Sequence, residues 1–133
     1  MWPSNMKCQS KQQGQAQVEF LLSVIALIIV MMWVLQFMLL IYDYVVLAGA
    51  AKQGVRYAVV HGTYNSVSAT AVENVVKNYA GFDAITVNVS YEGGSTGVNK
   101  WVRVTVSYPF VSLFNFGWSP PILKAAAQGR IIY

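Results

Sequence analysis

From Phe20 to Tyr42 the chain runs for 23 residues without a charge, bounded by Glu19 and Asp43, and only Ser23 and Gln36 within the run are polar. At a rise of about 1.5 Å per residue a helix over this run is about 34 Å long, enough to cross a hydrocarbon core of about 30 Å. A helix satisfies its own backbone groups in lipid, which an open strand cannot do. The run exceeds the roughly 7–15 residues of a secretory apolar region, and no small-residue cleavage pattern follows it. Tyr42 and Tyr44 stand where aromatic side chains mark the far interface. The sequence thus predicts one transmembrane helix over residues 20–42.

The flanks predict its orientation. Lys7 and Lys11 precede the run with no acid beside them, and the first charge after it is Asp43. Under the positive-inside rule the N-terminus is cytoplasmic and the remainder extracytoplasmic. The 133 residues leave room for one small folded unit besides the span. Charged residues are 11% of the chain, against roughly 25% in ordinary soluble domains. The span explains the high apolar content but not this shortage, which persists outside it. His61 and Cys8 are the only residues of their kinds, and no two acids lie within eight positions of each other. Metal clusters, Cys/His pairs and disulfide frameworks need more, so neither a cofactor, a metal nor an enzymatic activity is expected. Cys8 has no apolar run before it and reads as a cytoplasmic thiol, not an acylation site. Despite a pI near 9.3, the basic residues are dispersed and form no phosphate-tracking stripe. Neither nucleic acid nor a small-molecule substrate is expected as a partner.

Glu19 stands at the lip of the span, where an ionisable group is a functional candidate unless headgroup water solvates it. Its context is Gly14-Gln15-Ala16-Gln17-Val18-Glu19-Phe20, after a short polar leader containing Lys7 and Lys11. This pattern resembles the type IV prepilin processing site in the Glu-Phe form of the type IVb tight-adherence (Flp) pilins. The resemblance implies cleavage by an inner-membrane prepilin peptidase between Gly14 and Gln15, leaving Glu19 as the fifth mature residue. A glycine before the scissile bond allows close approach to the backbone. The new α-amino group at Gln15 is a cation that a carboxylate four residues on can pair with, in its own chain or a neighbour's. An unpaired Glu19 in apolar surroundings would be penalised.

The stretch 14–62 is also similar to the N-terminal region of TadE/TadG-like pseudopilins. Ala51-Lys52-Gln53-Gly54-Val55-Arg56-Tyr57-Ala58 matches that family's AxxGxRYA pattern, with Gly54, Arg56 and Tyr57 as the motif residues. Many members carry a proline about six residues after the glutamate, where this chain has Ile25. The implied partners are the inner membrane, a prepilin peptidase, other pilin and pseudopilin subunits and tight-adherence platform proteins.

Beyond the span the apolar positions Val45, Ala48, Ala51, Val55, Ala58 and Val59 keep helical spacing, with Lys52, Gln53 and Arg56 on another face. A continuous helix from about Gln17 to Val60, about 65 Å long, would extend from the span as a half-buried stalk. Gly49 and Gly54 are poor helix formers whose use is close packing, and His61 and Gly62 fit a helix C-terminus. A second helix is expected over Val67–Ala80, capped by Ser66 and ended by Gly81, with Glu73 and Lys77 as an exposed pair. Alternation predicts strands over Ile85–Tyr91 and Trp101–Tyr108, joined by a Gly-rich hairpin loop over Glu92–Asn99, and a third strand over Ile122–Ile132 with Lys124, Gln128 and Arg130 on its wet face. No helix follows the Gly-rich loop, so it is not a phosphate cradle. Pro109 and Pro120-Pro121 bracket an apolar connection over Phe110–Trp118. Its Phe110, Leu113, Phe114, Phe116 and Trp118 either fill the core under the sheet or form a subunit contact.

The expected fold is α+β and pilin-like: a leader over 1–14, a long helix over 15–62, and a head over 63–133 with a short helix and about three antiparallel strands. The expected function is that of a minor pilin or pseudopilin in the inner membrane, single-pass, taking part in pilus assembly and surface adhesion. The alternatives are an unprocessed single-span accessory protein with an extracytoplasmic binding module, and an envelope enzyme for which no polar constellation is found.

Overall fold

The computed structural model describes residues 6–62, 67–93, 100–114, 117 and 119–131, with side chains described from residue 14 onward. Two helices and three strands follow one another: α1 Met6–His61, α2 Ala69–Ala80, β1 Thr86–Glu92, β2 Lys100–Pro109 and β3 Ile122–Ile131. The long helix, the short helix and the three strands all occur in the expected order. The first helix starts earlier than expected, at Met6 instead of about Gln17. The added stretch is rich in Lys and Gln, unbranched residues that lose little rotamer freedom in a helix. The structure divides into two compact units, Met1–Met38 and Leu39–Tyr133.

In the first unit the helix is apolar on nearly every side from Phe20 onward and its side chains face outward: Phe20, Leu27, Leu35 and Met38 are all more than half exposed. A helix of that kind needs an apolar environment on every side. Of its two polar residues Ser23 is locally satisfied, since Ser23 Oγ donates to the Glu19 carbonyl at 3.0 Å. The helix Gly14–His61 is long and apolar enough to cross a membrane.

The second unit is built on an antiparallel meander with strand order β1-β2-β3. β1 and β2 pair over seven positions from Thr86↔Ser107 to Glu92↔Trp101. β2 and β3 pair over ten, from Lys100↔Ile131 to Pro109↔Ilе122, without a bulge. β1 is shifted by one residue and β2 exceeds its expected bounds by one residue at each end, because pairing extends as far as a partner backbone reaches, and Ile132 of the expected third strand lies outside the described residues. Val102, Val104 and Val106 of the central strand are fully buried, while Trp101 and Arg103 between them are exposed, as the period of two requires. On β3, Lys124, Gln128 and Arg130 lie on the exposed face, as expected.

The buried face of the sheet meets two helices. Leu47, Ala50, Ala51, Val55 and Ala58 from α1 and Val72, Val76 and Ala80 from α2 join the central valines in one core. The stretch expected to form a stalk is thus, on one face, part of the head's core. Glycine makes that contact close. A Cβ placed on Gly54 would lie 2.7 Å from Val76 Cγ2, 3.3 Å from Val72 Cγ1 and 3.4 Å from Val104 Cγ1. One on Gly129 of β3 would strike Val55 and Val59 of α1. Gly49 faces the Tyr79 ring in the same way, at 3.1 Å. The expectation that Gly49 and Gly54 serve close packing holds.

α2 begins two residues later than expected. Its N-cap is Ser68, which accepts from the Ala71 amide at 3.3 Å, in place of Ser66, which lies outside the described residues. Ser68 occupies the extended backbone conformation that an N-cap needs before the first helical turn. Gly81 ends the helix at φ 70°, a left-handed conformation that favours glycine. Glu73 and Lys77 pair at 2.8 Å, as the i,i+4 spacing predicts. Most of the Gly-rich hairpin loop, 94–99, lies outside the described residues.

Candidate functional site

Gly14, Gln15, Glu19 and Phe20 all lie on α1 and all are exposed. A Cβ on Gly14 would meet nothing within 4 Å, so this glycine, unlike Gly54, is not required by packing. Its backbone is helical, and a protease must open that turn to reach the Gly14–Gln15 bond. Glycine makes the opening easier, since it weakens a helix by about 1 kcal/mol relative to alanine. Phe20 is 69% exposed and opens the apolar surface that continues to Met38.

The second group of motif residues divides by face. Ala51, Gly54, Val55 and Ala58 are buried at the spacing of one helix face, against α2 and the sheet. Arg56 points outward, beside Lys52. Tyr57 is half-buried and stacks on His61 at a centroid distance of 4.2 Å. The His61 Nδ1 donates to the Tyr57 carbonyl at 3.1 Å, the helix-end contact expected of that histidine. The alanines and the glycine of the motif therefore serve packing, and its outward residue is Arg56.

Among the described residues the aromatic cluster does not form one surface. Phe110 is only 3% exposed, and its amide donates to the Pro121 carbonyl at 3.1 Å, which ties down the connection between β2 and β3. It fills the core, so its reading as a subunit contact is corrected. Its apolar ring is held inside by the closed connection. Phe114 is half-buried, Val111 and Leu113 are exposed, and Phe116 and Trp118 lie outside the described residues.

Two features escaped the sequence reading. Arg103 on the exposed face of β2 lies 3.7 Å from Glu92, and the Gln128 amide oxygen, turned toward it, accepts from the same guanidinium. That cluster links all three strands, but it depends on a register that only the pairing sets. Tyr91 reaches out of β1 to donate its hydroxyl to the Val67 carbonyl at 3.2 Å, and burial raises that hydroxyl above its ordinary pKa. Its position in an alternating strand signalled burial, not the bond.

Among the described residues no three His, Cys, Asp or Glu side chains come together in a way that could hold a metal. What the chain offers instead is a small α+β unit and an exposed apolar helix headed by Gly14, Glu19 and Phe20. Comparison with known proteins finds no family model, no curated protein and no solved structure that matches this chain.

Proposed function

We propose that the chain is a minor pilin or pseudopilin subunit of a type IVb tight-adherence pilus, with a structural and not a catalytic role. The observation that carries this reading is the Gly14…Glu19-Phe20 pattern placed at the mouth of an apolar helix exposed on all sides. The subunit sits in the inner membrane with Lys7 and Lys11 in the cytoplasm and the α+β head outside. A prepilin peptidase cuts after Gly14, and the Gln15 amine then pairs with Glu19 of the same or an adjacent subunit. Packed against other pilin subunits, the exposed apolar helix exchanges lipid for protein, and platform proteins drive that transfer. Adhesion follows from display of the head on the filament.

The test is mass spectrometry of the protein extracted from membranes that contain a competent prepilin peptidase. A mature chain starting at Gln15 is the expected result, and a chain still starting at Met1 overturns the processing step. One observation favours a second reading. The Gly14–Gln15 bond lies inside α1, a poor conformation for proteolysis. An intact N-terminus together with absence from sheared filaments would establish the unprocessed single-span accessory protein instead.

A further inference from the structure

The chain contains a second uncharged run. From Val104 to Leu123 twenty residues pass without a charge, and they comprise most of β2, the connection to β3 and the first two residues of β3. The described part of this run is unevenly buried. Phe110 closes the end of the core, but Val111, Leu113 and Ile122 are 74%, 67% and 63% exposed. Large apolar side chains grouped on the surface of a small unit mark a place that something else covers. The packing of α1 on the sheet identifies that partner by position.

Gly54 of α1 lies against Val104, the register partner of Ala127, and Gly62 lies against Ile131. The helix rises about 12 Å between those glycines and β3 about 14 Å between the matching residues, so α1 and β3 run side by side in one direction. Gly129, midway on that stretch of β3, meets Val55 and Val59 of α1, as the alignment requires. Followed back at about two helix residues for each strand residue, Ile122 falls about level with Tyr44. The last turn of the first apolar run, Leu39–Tyr42, belongs to the same compact unit and lies just beyond that level. The Phe110 amide, donating to the Pro121 carbonyl, carries the hairpin one pair past the sheet toward this turn. Ile41, Tyr42, Tyr44 and Val45 are exposed there as well.

We propose that the β2–β3 connection is a second membrane contact: Val111, Leu113 and Ile122 enter the headgroup and upper acyl region of the bilayer that α1 crosses, on its extracytoplasmic face. A span ending at Tyr42 puts the hydrocarbon boundary within about one helical turn of the level of Ile122, and apolar side chains there lower their free energy by leaving water. The charges at this end are Asp43, Lys124 and Asp83, which follows the Phe82 ring stacked on Tyr108. Two acids against one cation give no attraction to anionic headgroups, so the contact is apolar and independent of lipid charge. The Lys124 stem is long enough to keep its ammonium among the headgroups while Ile122 is immersed. A protein neighbour could cover the same side chains, but the bilayer boundary is at this level in every membrane-inserted chain, whatever its state of assembly. The connection then holds the head down on the membrane surface, as an anchor beside the span. The contact rests on the membrane span and needs neither cleavage after Gly14 nor a filament.

The test uses the full chain in phosphatidylcholine vesicles, with Cys8→Ser as background, an environment-sensitive fluorophore on single cysteines and iodide on both sides of the bilayer. Phe37→Cys in the apolar run, Leu113→Cys in the connection and Trp101→Cys at the far end of the sheet sample three positions. Labels at positions 37 and 113 are expected to be quenched by lipid-borne nitroxides and shielded from iodide, and the label at position 101 the reverse. Adding phosphatidylglycerol or raising the salt concentration should change none of these. Val111→Ser with Leu113→Ser should turn a label on Ile122→Cys from lipid quenching to iodide quenching, since each lost apolar side chain costs the embedded state about tenfold. Both substituted residues are exposed, so the thermal transition of the head should stay where it was. Iodide quenching at position 113 together with lipid quenching at position 37 overturns the proposal and leaves the span and the pilus reading standing. Shielding of position 113 from both quenchers identifies a protein partner and overturns it as well. Iodide quenching at position 37 overturns the span and the contact together.

Discussion

Three glycines of one helix show how a residue's meaning depends on what surrounds it. Gly54 holds α1 against Val72, Val76 and Val104, whereas Gly14 meets nothing. Gly54→Ala gains about 1 kcal/mol of helix propensity but forces a side chain against packed valines, an overpacking cost of about 1–3 kcal/mol. Net destabilisation is expected, read as a lower Tm by circular dichroism of the full chain in detergent. Gly14→Ala should instead stabilise the helix by up to about 1 kcal/mol. The same substitution tests the processing site, because slower cleavage after position 14 is expected. Glu19→Ala should leave membrane insertion intact and impair incorporation into filaments. Normal assembly of that variant, quantified in sheared material, would reject the pairing role. Gly49 belongs with Gly54, since it faces the Tyr79 ring.

Among the elements, β2 carries the most consequence, because it is the central strand and its three inward valines are fully buried. Val104→Ala should destabilise the head by about 2 kcal/mol through lost burial and a residual cavity. Thr86→Ala, on the exposed side of an edge strand, should change stability by no more than about 0.5 kcal/mol. Chemical denaturation followed by tryptophan fluorescence separates the two. β1 is tied to the chain before α2 through Tyr91, whose hydroxyl donates to the Val67 carbonyl. Burial raises the Tyr91 pKa above its unfolded value, so the folded state holds this proton more tightly. That contribution is fully present below about pH 10, the unfolded value, and is lost as pH rises through the higher folded value. Melting curves from pH 8 to 11 should show a fall in Tm that Tyr91→Phe flattens. An unchanged alkaline limb in the variant would assign the fall to other groups.

For the whole molecule, the balance of charge has two separate origins. The formal net charge of +4 includes Lys7 and Lys11, which precede the apolar run and, under the positive-inside rule, are the residues expected to set its orientation. The proposed cleavage after Gly14 would remove both together with Cys8. The expected topology is checked by adding protease to the outside of intact spheroplasts: digestion of the head with protection of residues 1–19 supports it, and loss of the N-terminal segment overturns it. In the head acids and cations are instead paired locally: Glu73 lies 2.8 Å from Lys77 on α2, and Glu92 of β1 lies 3.7 Å from Arg103 of β2.

The periodicities of the sequence determined the elements. An uninterrupted apolar run, a three-and-four spacing from Val45 to Val59 and an alternation of two from Ile85 onward each report the environment of one side chain after another along a single backbone geometry. These signals are local, so helix and strand order was legible, as were the Gly81 stop and the Glu73–Lys77 pair. The Gly14 to Phe20 pattern was equally legible because all its residues are consecutive. Only the tertiary structure decided which neighbours those faces meet. It took Phe110 into the core, moved the cap of α2 to Ser68, made the supposed stalk one wall of the head, and brought Arg103, Glu92 and Gln128 together from three strands. Strand register and helix-on-sheet approach depend on contacts between residues far apart in sequence, set by the volumes of side chains such as Gly54, Gly129 and Val55 in combination. No single stretch of sequence holds that information.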